Sequence, residues 1–334
     1  MQPIVEPRAS SGLGHRLALT ALVGVSVLSV AVVAMLTIYV DRISEVASSL
    51  HRVDALADYD GRPAAVQVAE NPAINFLIFI DSGDKLQAAV IANLSGSRRH
   101  LTLAALPADL LVSGSAASLA RTYASDPLRA TRMVEEFSGA RMDHQLRLDV
   151  MGFDAVVDRL DGLNVGDRQL SGADAVGYLA QAGAAADRSQ RAAQLIRQTM
   201  IKAKDNGGVL NLPRFDSLIG ALGDCLTIDD GLTNDAIQNV LVESRVHLDD
   251  VRLWPIGGAS TSAGTRADPA TVALLRSGLA SDDLARTPQE SSAATAQVGA
   301  VHSAKSDATS GGASLSPSAG ADGVAVPPAT PTPR

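Results

Sequence analysis

The sequence predicts an α/β protein: a mixed central sheet covered by helices, preceded by one transmembrane helix and followed by a disordered tail. Three observations carry this expectation. Residues 17–40 form an apolar run without a charge. Strand-like and helix-like patterns alternate between residues 73 and 256, the mark of layered α/β packing. From about Thr287 onward the chain is mainly Ala, Ser, Gly, Pro and Thr. With 334 residues, 46% of them hydrophobic, the chain has the material for a sizeable core.

Taken in order, residues 1–16 are read as a short cytoplasmic segment and residues 17–40 as the membrane span. A helix rises about 1.5 Å per residue, so the run covers a hydrocarbon core of roughly 30 Å. Tyr39 at its edge suits the interface. A cleaved signal peptide is the competing reading, but its apolar region is normally about 7–15 residues. Arg8 and Arg16 precede the run while Arg42 and Arg52 follow it, so charge alone leaves the orientation nearly balanced. The expectation is a single-pass cell-membrane protein with its N-terminus cytoplasmic and its C-terminal domain extracytoplasmic.

Residues 41–72 read as a helical stalk and linker, with Ile43, Val46, Ala47 and Leu50 at helical spacing before Gly61-Arg62-Pro63 breaks it. The apolar run at 74–80 reads as a buried strand. Residues 88–94 and 100–106 read as two more, joined through Ser95-Gly96-Ser97. Asp126-Pro127 is an N-cap followed by proline at the first helical position, and Gly139 ends that helix. Residues 144–150 alternate as a strand; Phe153, Val156, Val157 and Leu160 then keep helical spacing up to Gly162. Ser171 opens another helix with Asp174 in a capping box. A longer helix covers about 188–204, and Thr233 caps one with Ala236, Ile237, Val240 and Leu241 inward. A last strand is expected at 246–254. Residues 257–286 read as a linker with a short helix begun by Asp268-Pro269, and 287–334 as the disordered tail, which lacks the apolar surface to offset ordering.

Composition excludes several functions. The net charge is −8, and no Lys/Arg cluster of the kind that neutralises phosphates of nucleic acid is present. The densest basic stretch, Ser97-Arg98-Arg99-His100, reads as a solvated turn. The lone cysteine, Cys225, allows no internal disulfide and no cysteine-based metal site, and reads as a small packing residue. The six histidines form no HExxH pair; there is no Gly-x-Ser-x-Gly elbow and no Walker loop.

Several pieces of sequence, in order, resemble the LytR-CpsA-Psr family of cell-envelope proteins over about residues 74–256. A strand leads into Asp81-Ser82-Gly83, where the family tends to have Asp-Ser-Arg. Leu106-Pro107-Ala108-Asp109 is similar to its Ile-Pro-Arg-Asp. Asp149-Val150-Met151-Gly152-Phe153-Asp154-Ala155-Val156-Val157-Asp158-Arg159-Leu160-Asp161-Gly162-Leu163 is similar to its strand–helix signature. Leu170-Ser171-Gly172-Ala173-Asp174-Ala175-Val176-Gly177-Tyr178 resembles its Leu-(Asn/Ser)-Gly-x-x-Ala-x-x-Tyr helix, and Arg188-Ser189-Gln190-Arg191 its Arg-x-x-Arg.

The resemblance implies attachment of phosphate-linked glycopolymers to peptidoglycan from a polyprenyl-diphosphate carrier. Partners would be that lipid-linked glycan, peptidoglycan and the membrane, with no nucleic acid. It assigns phosphate binding to Arg188 and Arg191, three apart on one helix face near a helix start, where backbone N–H groups also favour an anion. It makes Asp81 and Asp109 the candidate catalytic acids, with Asp81 a candidate ligand for Mg²⁺ if the chain is active. A long lipid would need a deep apolar groove, which the low aromatic content (3%) leaves to aliphatic side chains. Other family positions are changed: Gln87 replaces an expected aspartate, and Ala108, Ala180, Ala182, Ala185 and Ala192 replace arginines or other polar groups. Alanine cannot hold phosphate and a neutral amide is a poor Mg²⁺ ligand. The expected function is therefore envelope biogenesis on a transferase-like fold with weak or lost catalysis. The alternatives are a non-catalytic binding or scaffold module for a phosphorylated envelope lipid and, least favoured, a transcriptional attenuator.

Overall fold

A computed structural model describes residues 50–112, 115–206 and 212–287. The expected span at 17–40, the segment before it, most of the stalk helix and the tail beyond Thr287 lie outside the described residues. Among the described residues no helix is long and apolar enough to cross a membrane.

Seven strands form one mixed sheet in the order β1-β8-β5-β2-β3-β4-β9. Its middle is β2 (Ile74–Ser82), β3 (Lys85–Leu94) and β4 (Leu101–Pro107), antiparallel in sequence order. β5 (His144–Asp149) runs parallel to β2 on one side, and β9 (Arg252–Pro255) parallel to β4 on the other. β8 (Leu226–Asp229) lies antiparallel to β5, and β1 (His51–Val53) closes the edge parallel to β8.

Alternation along the strands builds two apolar layers, because successive side chains point to opposite faces. Leu77, Phe79, Ile91 and Leu106 enter the layer covered by α1 (Leu119–Ser125), α2 (Pro127–Ser138) and α8 (Pro269–Ala280). Ile80, Val90, Leu103 and Leu148 enter the opposite layer. It is covered by α3 (Val150–Arg159), α4 (Gly172–Ala180), α5 (Ala185–Asp205) and α6 (Leu212–Cys225). α7 (Asn234–Glu243) follows β8.

The local signals take effect where the sequence places them. Asp126 accepts from the N–H groups of Leu128 and Arg129, Gly139 ends α2 at φ 66°, and Ser171 and Asp174 close a capping box on α4. Thr233 caps α7 through the Ala236 N–H, and Asp268 caps α8 through that of Thr271.

Four regions differ from expectation. Residues 50–72 are fastened to the domain rather than free as a stalk and linker: β1 joins the sheet, and Arg62 bonds to fully buried Glu135 on α2 at 3.1 Å. Residues 257–286 are not a linker either. They form the hairpin β10 (Gly258–Thr261) and β11 (Gly264–Ala267), then α8, whose Leu275 and Leu279 are buried in the core. The strand expected at 246–254 is shortened to β9 by a 3-10 turn at Leu248–Asp250. Arg98 is not solvated: it is 6% exposed, with its guanidinium on the carbonyls of Pro72 and Ser95 and on Glu243. A second hairpin, β6 (Leu163–Val165) and β7 (Arg168–Leu170), turns at Gly166 (φ 59°) between α3 and α4.

Candidate functional site

The ends of β2, β4 and β5 lie along one edge of the sheet and carry the candidate acids. At Asp81 the pairing of β2 with β3 slips: Ile80 faces Ala88 but Asp81 faces Leu86, leaving Gln87 in a bulge. The Gln87 amide donates to the Lys85 carbonyl at 3.2 Å. The bulge lies in β3 beside the end of β2, and alternation with Leu77 and Phe79 points Asp81 toward α1.

Asp81 is 2% exposed and accepts two hydrogen bonds on Oδ2, where it also meets an ion-pair contact. Tyr123 of α1 donates its hydroxyl. Arg147 of β5 donates Nε at 3.1 Å and brings Nη2 to 3.0 Å as an ion pair, and its guanidinium stands 5.7 Å from the Tyr123 ring centre. Tyr123 in turn packs on Phe79, ring centres 4.7 Å apart. Burial pushes the Asp81 carboxyl above the usual carboxylate range, against the pull of Tyr123 and Arg147. Burial, then the Asp81 carboxylate, raises the Tyr123 phenol, so it stays a donor. Asp149 sits beside Asp81 in register and caps α3 by accepting from Met151 N–H at 2.9 Å. An open cleft runs past these groups to His51, Asp224 and Thr227.

Asp109 is two strands away from Asp81, roughly 10 Å at the usual strand spacing. It lies in the turn closed by the Leu110 N–H on the Pro107 carbonyl (3.1 Å). Its own carbonyl accepts from Thr265 of β11, while Oδ1 is buried without a hydrogen-bond partner. Asp109 and Asp81 therefore share the sheet edge but not a common ligand position.

Arg188 and Arg191 occupy the first turns of α5, on the opposite face of the sheet from the Asp81 cluster. Arg191 donates Nη2 to the Gln181 carbonyl at 2.7 Å and its guanidinium lies 6.0 Å from the Tyr178 ring centre. Both arginines are half-buried, and each has a buried Nε without a hydrogen-bond partner. Asp187 takes one N-terminal N–H of the helix, accepting from Ala184 at 3.2 Å. Ala192, next after Arg191, and Ile80, just before Asp81, both line a small apolar cavity with Leu148, Phe153, Leu179 and Leu195. The two candidate groups thus approach one strand end from opposite sides. The cavity measures about 10 Å³, the room of a single water, so a prenyl chain enters only if α4 and α5 part.

The donors at Asp81 do not fit Mg²⁺. Its Oδ2 is taken by a cation and a phenol, Gln87 is a neutral amide, and among the described residues no group of three or more His, Cys, Asp or Glu could hold an ion. Cys225 is buried against Gly152, and burial, then Asp149 and Asp224, pushes its thiol up to about 11. It packs as a small buried residue whose surroundings disfavour the thiolate.

Sequence reasoning missed Tyr123 and Arg147. A signal for Arg147 was present: in His144-Gln145-Leu146-Arg147-Leu148 it shares the strand face of the buried Gln145, and a charge there requires a partner.

No protein-family model matches the sequence, and no curated protein matches it. Solved structures do match its fold. A LytR-Csp2A-Psr enzyme from Actinomyces oris superposes with a TM-score of 0.53 at 17% identity, covering 68% of this chain and 94% of that one. The fold is that of the LytR-CpsA-Psr proteins. TagV from B. subtilis matches at TM-score 0.52 and 13% identity, over 66% of this chain and 100% of its own. A structure of TagT bound to LI-WTA matches at TM-score 0.51 and 14% identity, over 68% of this chain and 99% of its own. The likeness extends over nearly the full length of these LytR-CpsA-Psr structures. Ala108 is buried in the α1–α2 layer and Ala192 in the α5 layer. An arginine or glutamine at either place would need the local packing to change.

Proposed function

We propose that this chain is a membrane-anchored cell-envelope protein that binds a polyprenyl-phosphate or -diphosphate-linked glycan outside the cell, with peptidoglycan as its neighbour and with phosphotransfer weak or lost. The observation that carries the binding is the Arg188–Arg191 pair: two guanidiniums on one face of the first turns of α5, each with an unpartnered buried Nε. A guanidinium matches phosphate oxygens with its planar donor fork, and the helix start adds favourable backbone dipoles. The fold and the TagT complex with LI-WTA support a glycopolymer as the class of ligand.

The loss of transfer rests on Asp81, whose reactive oxygen is engaged by Tyr123 and Arg147, and on the apolar residues at 108, 180 and 192. Charge stabilisers of this kind each supply a few kcal/mol to a transition state, so losing several leaves a rate near background.

The test uses the full-length chain in detergent micelles with a polyprenyl-diphosphate sugar. Arg188→Ala and Arg191→Ala are each expected to weaken retention roughly tenfold, as for one charge-assisted contact, with the melting temperature unchanged for Arg188→Ala and slightly lowered for Arg191→Ala, which loses the Gln181 carbonyl. Transfer to peptidoglycan fragments is expected at background with or without Mg²⁺. Retention that ignores both substitutions rejects the binding site. Brisk turnover abolished by Arg188→Ala places the chain among active transferases.

A further inference from the structure

Asp81 is the acid that the family resemblance would put on a divalent cation, yet its counter-charge is already covalently part of the chain. Arg147 sets Nε (a hydrogen bond, 3.1 Å) and Nη2 (an ion-pair contact, 3.0 Å) on one carboxylate oxygen, and the Tyr123 hydroxyl donates to the same oxygen. Mg²⁺ requires nearly octahedral oxygen coordination and keeps several waters. A carboxylate that is 2% exposed, with a guanidinium and a phenol against it, leaves no room for that shell. With Arg147 in place the neighbours offer little instead: Gln87 is a neutral amide and Asp149 spends Oδ1 on the Met151 N–H, leaving a single oxygen. A divalent ion entering here would also sit beside the permanent positive charge of Arg147.

We propose that Arg147 replaces the divalent cation at this strand end, so that the protein binds its anionic ligand without metal. The guanidinium neutralises Asp81, holds it toward Tyr123 and presents its outer edge, 34% of the side chain exposed, to the cleft beside His51 and Thr227. Arginine serves where lysine does not, because Nε and Nη2 reach one oxygen together while the plane lies over the Tyr123 ring. The part of this inference that concerns the ligand rests on the function proposed above; the part that concerns the ion does not.

The experiment titrates Mg²⁺, and Mn²⁺ as its spectroscopic substitute, into the full-length chain by calorimetry and follows the melting temperature. The wild type is expected to show no saturable binding and no shift in melting. Arg147→Met leaves Asp81 beside Asp149 without the cation and is expected to gain saturable binding that the wild type lacks over the same concentration range. Arg147→Lys, which keeps the charge, is expected to remain metal-free. Retention of the polyprenyl-diphosphate sugar by the wild type is expected to be unchanged by a chelator. Saturable Mg²⁺ binding by the wild type that Asp81→Asn removes overturns the proposal, and this arm needs only wild type and Asp81→Asn, whatever Arg147→Met does to folding. Loss of retention on chelation also overturns it. If no lipid is retained under any condition, the proposed function fails while the ion titration still decides the role of Arg147.

Discussion

Asp229 shows what a single side chain does in this protein. It is 1% exposed, accepts from the Gln145 N–H at 2.6 Å and the Leu232 N–H at 3.0 Å, and lies 3.4 Å from His144 Nδ1. Burial pushes its carboxyl up, but the His144 and backbone contacts outweigh this and leave it below the usual carboxylate value. A lowered folded value means that its stabilisation is present above the ordinary pKa of about 3.9 and is lost as pH falls through the folded value. Asp229→Asn is therefore expected to cost about 1–2 kcal/mol near neutrality, with the difference closing as pH falls below the ordinary carboxylate value. Urea midpoints across that range check it. Asp81, Asp143 and Asp282 have the opposite sign: burial raises each, so their contribution is present at low pH and is lost as pH rises through their folded values. The sequence marked Asp81 as a candidate but not its partners, because Arg147 is 66 positions away and no local pattern links the two.

At the scale of elements, α4 explains a glycine that sequence reading met only as a motif letter. A Cβ on Gly172 would lie 2.2 Å from the Asp154 carbonyl oxygen of α3, so the start of α4 can touch α3 only as glycine. Gly177, later in the same helix, has nothing within 4 Å of its would-be Cβ. Gly172→Ala is expected to cost about 1–3 kcal/mol through displaced backbone. Gly177→Ala is expected to stabilise by up to about 1 kcal/mol through helix propensity. Thermal melts of the pair separate the two effects, and equal shifts of one sign reject the explanation. Caps at Asp126, Ser171, Thr233 and Asp268 were legible because cap and recipient are two or three residues apart. The short β6–β7 hairpin and β8 escaped notice because runs of three or four residues carry too little periodicity to register.

Over the whole molecule, the segment before the central sheet is tied to the domain by charge. Glu135 is fully buried and accepts from Arg62 Nε at 3.1 Å, the Tyr59 hydroxyl at 2.7 Å and the Met142 N–H at 2.8 Å. Burial, then Glu135, pushes the Tyr59 phenol up to about 12, so it remains a donor across the physiological range. Glu135→Ala removes the buried carboxylate from Arg62, whose side chain is 6% exposed but keeps Asp58 at 2.8 Å and the Leu56 and Met142 carbonyls, and is expected to cost about 1–3 kcal/mol. The same substitution is expected to speed proteolysis between residues 54 and 62, while Arg62→Met with Glu135→Leu recovers most of the loss. Denaturant midpoints and digestion rates read both.

What the sequence determined by itself was local: an apolar charge-free run, helix caps, glycine stops, alternating strands, and hence an α/β class with a mixed sheet. These depend on residues within one turn or one strand of each other. The tertiary structure decided the pairings: that Arg62 meets Glu135, that Arg147 meets Asp81, and that Arg188 and Arg191 face the sheet from the side opposite that acid. Strand order and register set those meetings. Register is a property of chains brought together across tens of residues, where a shift of one residue turns a side chain to the other face.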